Sequence, residues 1–174
     1  MQFSLSKSIE ILDRTPHTLA QLLSGLSHEW IFTNEGGETW SPFDVMGHLI
    51  HGDKTDWMSR ADIILSDAAD KTFQPFDRFA QFEASKGKAM EQLLQEFAEL
   101  RQLNIEKLKA YHITDDDLKK TGVHPAFGEV TLAQLLSTWT VHDLDHIAQV
   151  VRVMAKQYTT EVGPWIAYLK ILKQ

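Results

Sequence analysis

Apolar positions along the chain recur mostly at the three-to-four-residue spacing of a helix, and almost nowhere in the strict alternation of a strand. The stretch "SLSKSIEILDR" begins such a pattern. Thr15-Pro16 either kinks or restarts it, since Thr caps helices well and Pro is favoured at a first helical position. Gly25 ends this first region, and "WIFTNEGGETW", with Gly36-Gly37, reads as a loop or irregular turn. The clearest start follows: Ser41 as N-cap, Pro42 in the first turn and Asp44 three residues on, a capping box with Asp in place of Glu or Gln. That second helix is expected from Pro42 to about Ser66.

"SDAADKTFQPFDRF" then reads as a long connection, packed down by Phe73, Phe76 and Phe79. A third helix begins between Glu83 and Lys88 and continues to about Ala110, carrying Leu93, Leu94, Phe97, Leu100 and Leu108. "TDDDLKKTGVHPAFGEV" is a second connection, rich in turn residues. Thr131 caps a fourth helix reaching about Gln157, and a short helix from about Pro164 to Leu172 closes the chain. Four long amphipathic segments and two long connections predict an all-α fold, an antiparallel or mixed four-helix bundle; long connections occur where neighbouring helices run parallel. A length of 174 residues, with no internal repeat and no low-complexity tract, reads as one domain over residues 1–174.

Composition narrows the chemistry. With 43% apolar and 24% charged residues the chain is of ordinary globular make-up. Its formal charge of −7, with Lys and Arg in no basic stripe, argues against nucleic acid or an anionic membrane as partner. No apolar run is long enough to span a bilayer, and "MQFSLSKSIE" lacks the pattern of a signal peptide, so a cytoplasmic protein is expected. The absence of cysteine removes disulfides, thiolate metal sites and a cysteine nucleophile together, so any metal must be held by nitrogen and oxygen.

The candidate chemistry is in the histidines. In "WTVHDLDHIAQVVR", His142 and His146 lie one helical turn apart, about 40° apart around the axis, so one ion can touch both. Leu135, Trp139, Val150 and Val153 share that face, which therefore looks inward, and an inward imidazole is partnered by a carboxylate, a carbonyl, water or a metal. The second helix carries His48 and His51 in "DVMGHLIHGDKTDW", offset by about 60°, so at most one aims at a site shared with another helix. One histidine from the second helix and two from the fourth make a three-nitrogen site with coordination positions left open, the arrangement of a catalytic metal. Gly47 and Gly52 flank the first pair, where either a close approach or plain helix packing is expected.

The motifs "WSPFDVMGH" (40–48), "HPAFGEVTL" (124–132) and "WTVHDLDHIAQ" (139–149), with Arg101 and the tail "YTTEVGPW", resemble the DinB-like superfamily of damage-inducible and YfiT-type proteins over nearly the whole chain. The resemblance implies a four-helix bundle with a divalent metal on His48, His142 and His146, all three present. His51 is then a packed or half-exposed helix residue. Characterised members of the wider superfamily resemble metal-dependent enzymes that use a small thiol. The implied function is a metal-dependent enzyme activating a low-molecular-weight thiol, of S-transferase type, or water; the alternative is a non-catalytic, metal-stabilised stress-response or binding module. Imidazole ligands suit zinc, nickel, iron and copper, with zinc or nickel expected, and a small thiol is a candidate second cofactor. A small-molecule substrate and a homodimer are the expected partners. Asp44 and Asp145 are candidates to orient a ligand imidazole, or are solvated helix carboxylates. Arg101 either binds an anionic substrate or pairs with a glutamate, and His124 belongs to the turn or lines the mouth of the site. His17, His28 and His112 read as surface or boundary residues, and Trp57 and Trp139 as core.

Overall fold

The computed structural model describes residues 2–173. The helices are α1 (Leu5–Leu23), α2 (His28–Phe32), α3 (Pro42–Thr55), α4 (Trp57–Leu65), α5 (Ala80–Ser85), α6 (Met90–Ala110) and α7 (Leu132–Lys156). Two strands, β1 (Thr121–His124) and β2 (Gly128–Thr131), lie between α6 and α7. α1, the α3–α4 pair, α6 and α7 form a four-helix bundle. α1 packs on α6 and α7, and α3 packs on the same two, so α1 and α3 occupy opposite corners. No helix among the described residues is long and apolar enough to cross a membrane.

The capping boxes set the two helices that matter most. The Asp44 carboxylate accepts from the Ser41 N–H at 2.9 Å while Ser41 Oγ accepts from the Asp44 N–H at 3.3 Å, which fixes the start of α3. Thr131 and Gln134 do the same for α7, at 2.8 and 3.2 Å. The helix expected from Pro42 to Ser66 is interrupted at Asp56, whose backbone departs from helical values (φ −113°, ψ −71°). The hydrogen bonds nevertheless continue across it, from the Asp56 N–H to Gly52 and from the Arg60 N–H to Asp56. α1 runs unbroken through Pro16.

That proline leaves a gap which another helix fills. Pro16 has no N–H, so the Leu12 carbonyl, four residues earlier, loses its helical donor. Arg101 of α6, 1% exposed, supplies one through NH1 at 2.9 Å. The same guanidinium donates to both carboxylate oxygens of Asp53 on α3 (2.8 and 3.0 Å) and of Asp143 on α7 (2.5 and 3.1 Å). One side chain thus bonds all three other helices of the bundle, with its face against Phe97 and Trp139. Burial alone pulls the guanidinium's proton affinity down, and the two aspartates outweigh it, so Arg101 stays charged. Arg101 is therefore not available to an anionic substrate: its charge and its donors are consumed inside the core.

Several elements differ from the sequence expectation. The second connection contains the β1–β2 hairpin, in register Thr121↔Thr131 to His124↔Gly128. Val123 also bonds the first connection, accepting from the Phe73 N–H and donating to the Lys71 carbonyl, both at 2.9 Å, so the two crossovers are stitched together. Gly122 permits this: a Cβ there would lie 2.5 Å from the Phe73 ring. α2 runs into the stretch expected as loop, and α5 is a separate short helix between the first connection and α6, overlapping the expected start of the third helix. The expected C-terminal helix is instead a pair of 3₁₀ turns, Gly163–Ala167 and Lys170–Lys173. α6 begins at Met90, later than its apolar pattern suggests, because Gly87 takes a positive φ of 76° just before it.

Candidate metal centre

α3 and α7 are neighbours in the bundle, and their inward faces bring His48, His142 and His146 together. His48 and His146 are buried and His142 is half-buried. The three Nε2 atoms converge: His142 lies 3.0 Å from His48 and 3.1 Å from His146. Hydrogen bonding alone does not account for both contacts. An imidazole nitrogen has a single in-plane direction, occupied either by a proton or by a lone pair. His142 Nε2 can therefore donate to one neighbour or accept from one, not satisfy two. At most one of the two contacts is then a well-aligned hydrogen bond, and the other is left without a good donor–acceptor match unless a shared cation stands between them.

The spacing fits such a cation. Two nitrogens each about 2.0–2.1 Å from one ion, at about 90–109° around it, stand about 2.8–3.4 Å apart. His146 is also preset as a ligand: its Nδ1–H donates to Gln149 Oε1 at 2.8 Å, which leaves the Nε2 lone pair facing the centre. The Nδ1 atoms of His48 and His142 are buried with no partner among the described residues. The donor set, three neutral nitrogens without sulfur or carboxylate, is one that zinc or nickel accepts.

Electrostatics keep the rings neutral. Burial, then the charges of His146, His51 and Arg78, push the His48 proton affinity down to about 3, and burial with His146 and His48 pushes His142 down to about 2. His146 is lowered by burial as well, with Gln149 and two aspartates opposing. In the metal-free chain this fixes the sign of a pH effect. Unfolded imidazoles, with a reference value of 6.5, take up protons that the folded site refuses, so stability is fully present above that value. It is lost as pH falls from there towards 3. Urea midpoints of the metal-free protein are expected to fall between pH 7.5 and pH 5, less so in His48→Phe; a flat midpoint would show that the rings are not held neutral.

The cluster forms the floor of a cleft of about 500 Å³ whose walls include Glu35, Glu38, Trp40, Phe76, Arg78, Gln149 and Arg152. Trp40 lies 4.8 Å from the His48 ring and stacks towards His146 at 6.3 Å, Phe76 meets His48 edge-on, and Trp57 meets His142 edge-on. Glu35 is bound by Arg152 at 2.8 and 3.0 Å and by Lys156 at 3.3 Å, which holds its carboxyl below the usual range.

The other candidates lie elsewhere. The Asp44 carboxylate is occupied in the α3 cap and orients no imidazole. Asp145 is exposed and reaches His146 only through its charge. His124 sits in the hairpin, stacked on Phe127, its Nδ1 accepting from the Ala126 N–H, and it borders a separate small pocket beside Arg60 rather than the mouth of the cleft. His51 is half-buried against Phe76. Sequence reasoning missed Gln149, although it follows His146 at helical i,i+3 spacing on the same face. It also missed Trp40, Phe76, Arg78 and Glu35, which sit in connections where no period marks them.

The DinB superfamily sequence model matches residues 11–150. Among solved structures the chain is similar to YfiT from Bacillus subtilis, described as a probable metal-dependent hydrolase with an unusual four-helix bundle topology. The two are 21% identical and superpose with a TM-score of 0.74, covering 87% of this chain and 86% of that one. No curated protein matches the sequence.

Proposed function

We propose that this chain, which belongs to the DinB superfamily, holds one divalent metal ion on the Nε2 atoms of His48, His142 and His146 and is a metal-dependent enzyme acting on a small molecule. The observation that carries the reading is the placement of the three nitrogens on the floor of a cleft open to solvent. A site that only tied α3 to α7 would be closed by a fourth protein ligand, and none lies within reach among the described residues. Bound there, an ion supplies a Lewis acid that lowers the proton affinity of a thiol or a water molecule.

For the nucleophile we favour a low-molecular-weight thiol. The chain has no cysteine, so the sulfur arrives with a substrate. Thr39, the hydroxyl in the cleft wall, is tied to the Gly36 carbonyl and the Glu35 N–H, with no base beside it. Glu35, ionised and bound to two cations, is a poor proton acceptor. A thiol, more acidic than water, needs less help from a base. The chain's own part is to orient the imidazoles through Gln149, keep them neutral by burial, and shield one side with Trp40 and Phe76. Hydrolysis is the second reading, supported by the description of YfiT as a probable metal-dependent hydrolase, with Glu38 as the cleft carboxylate that has no ion pair among the described residues.

The test uses protein purified without a nickel column and loaded with one cobalt per chain. Titration with small thiols is expected to raise a sulfur-to-cobalt charge-transfer band, because a thiol that binds loses its proton. No spectral change with several thiols, in protein shown to hold its cobalt, would remove the thiol reading and leave the hydrolytic one.

A further inference from the structure

One wall of the cleft carries a cation that the chain itself does not neutralise. Arg78, exposed in the connection before α5, has its guanidinium 5.7 Å from the Trp40 ring and 5.6 Å from Phe79. No carboxylate of the described residues lies within ion-pair distance of it, in a chain with 24 acidic residues against 17 basic ones. The neighbouring cations are occupied, Arg152 and Lys156 both by Glu35. Glu38 shares the wall without bonding Arg78.

Two further facts orient this charge. Arg78 and Trp40 line both the histidine cleft and an adjoining groove that runs on to Phe79 and Phe82, so they form the partition between the two. Arg78 also lines the same cleft as His48, His142 and His146, which places its charge on the wall beside the reacting end. A guanidinium held against aromatic rings keeps its in-plane N–H edge free, and that edge takes a carboxylate or phosphate through two parallel hydrogen bonds.

Resting on the reading that the three histidines form the reacting centre, we propose that Arg78 anchors the substrate: the cleft takes a small molecule with a flat or apolar body and an oxyanion group, carboxylate or phosphate, that Arg78 binds while the other end meets His48, His142 and His146. Trp40 packs the body, and Glu38 opposes the anion. An arginine that is merely solvated, or that pairs with Glu38 in solution, gives different results in the following experiment.

Benzoate, phenyl phosphate and the neutral benzamide are titrated into the full chain, both metal-free and zinc-loaded, following the Arg78 Nε–H and Trp40 indole N–H resonances, the latter assigned with Trp40→Phe. Both anions are expected to shift both signals, and to bind more tightly than benzamide. Arg78→Gln should weaken the anions about three- to tenfold, the range of a charge-assisted contact at a partly solvated site, and leave benzamide unchanged. Glu38→Gln should tighten the anions. Phenyl phosphate alone responding to Arg78→Gln identifies a phosphate ligand, benzoate alone a carboxylate. Equal binding of benzoate and benzamide, or anion affinities indifferent to Arg78→Gln, overturns the proposal. Because the Arg78→Gln difference is expected with and without zinc, its failure is separate from a failure of the chain to bind metal.

Discussion

His142→Ala is expected to abolish stoichiometric metal binding, whereas Gln149→Ala keeps the ion with affinity lowered about 10- to 100-fold. His142 is the nitrogen within 3.1 Å of both others, so its loss leaves two donors on different helices with nothing between them. Gln149 touches only the far side of His146, where it fixes the ring's proton rather than the ion. The measurement is metal content after dialysis, together with melting curves. Zinc held only by the folded state at a hundred times its Kd adds about 2.7 kcal/mol, which a chelator removes from the parent and which the His142→Ala chain never gains. A His142→Ala protein that retains one ion per chain at the parent's affinity would falsify the three-histidine site.

Arg101→Met is expected to be the most damaging single change away from the cleft, costing about 3–5 kcal/mol, since it strands two carboxylates in the core. Asp53 and Asp143 are 3% and 0% exposed, and neither can turn to solvent without opening the bundle. Removing all three charges together, in Asp53→Leu/Arg101→Met/Asp143→Leu, should recover much of that loss, because hydrophobic replacements of a whole buried ion cluster are often neutral or better. Urea unfolding monitored by circular dichroism reads both. If Arg101→Met unfolds within 1 kcal/mol of the parent, about the scale of an ordinary surface change, the guanidinium is not what holds the four helices in register.

What the sequence discloses and what it hides follow from the range of the interactions. The α3 start was legible because Ser41, Pro42 and Asp44 act within one turn. The His142 and His146 pair was legible because i,i+4 spacing places two rings together on any helix; His48 was singled out from His51 only by resemblance to a family. Arg101 was left between a substrate role and an ion pair, and its aspartate partners were missed, because its partners stand 42, 48 and 89 residues away and a lone arginine on a helix carries no local sign of burial. The hairpin was missed because its strands are four residues long and one contains Gly122, whose use is to let Phe73 approach, a contact between two connections. Much of the cleft wall, with Glu35, Trp40, Phe76 and Arg78, comes from such connections as well, which is why the histidine cluster was legible and those walls were not.

Pro16, Asp53, Arg101 and Asp143 stand one on each helix of the bundle, and the debt left by the proline is met by the same group that neutralises the two acids. For the history of such a chain this makes Asp53, Arg101 and Asp143 a single inherited unit, with Pro16 attached to it. Exchanging the arginine first strands two carboxylates and a carbonyl; exchanging either aspartate first leaves the cation under-compensated. Only the proline can be given up early, because alanine at that position restores the missing N–H without asking anything of the others. Drift at the centre of this bundle therefore has a direction, entering through α1, and the remaining three residues are free to change only in concert.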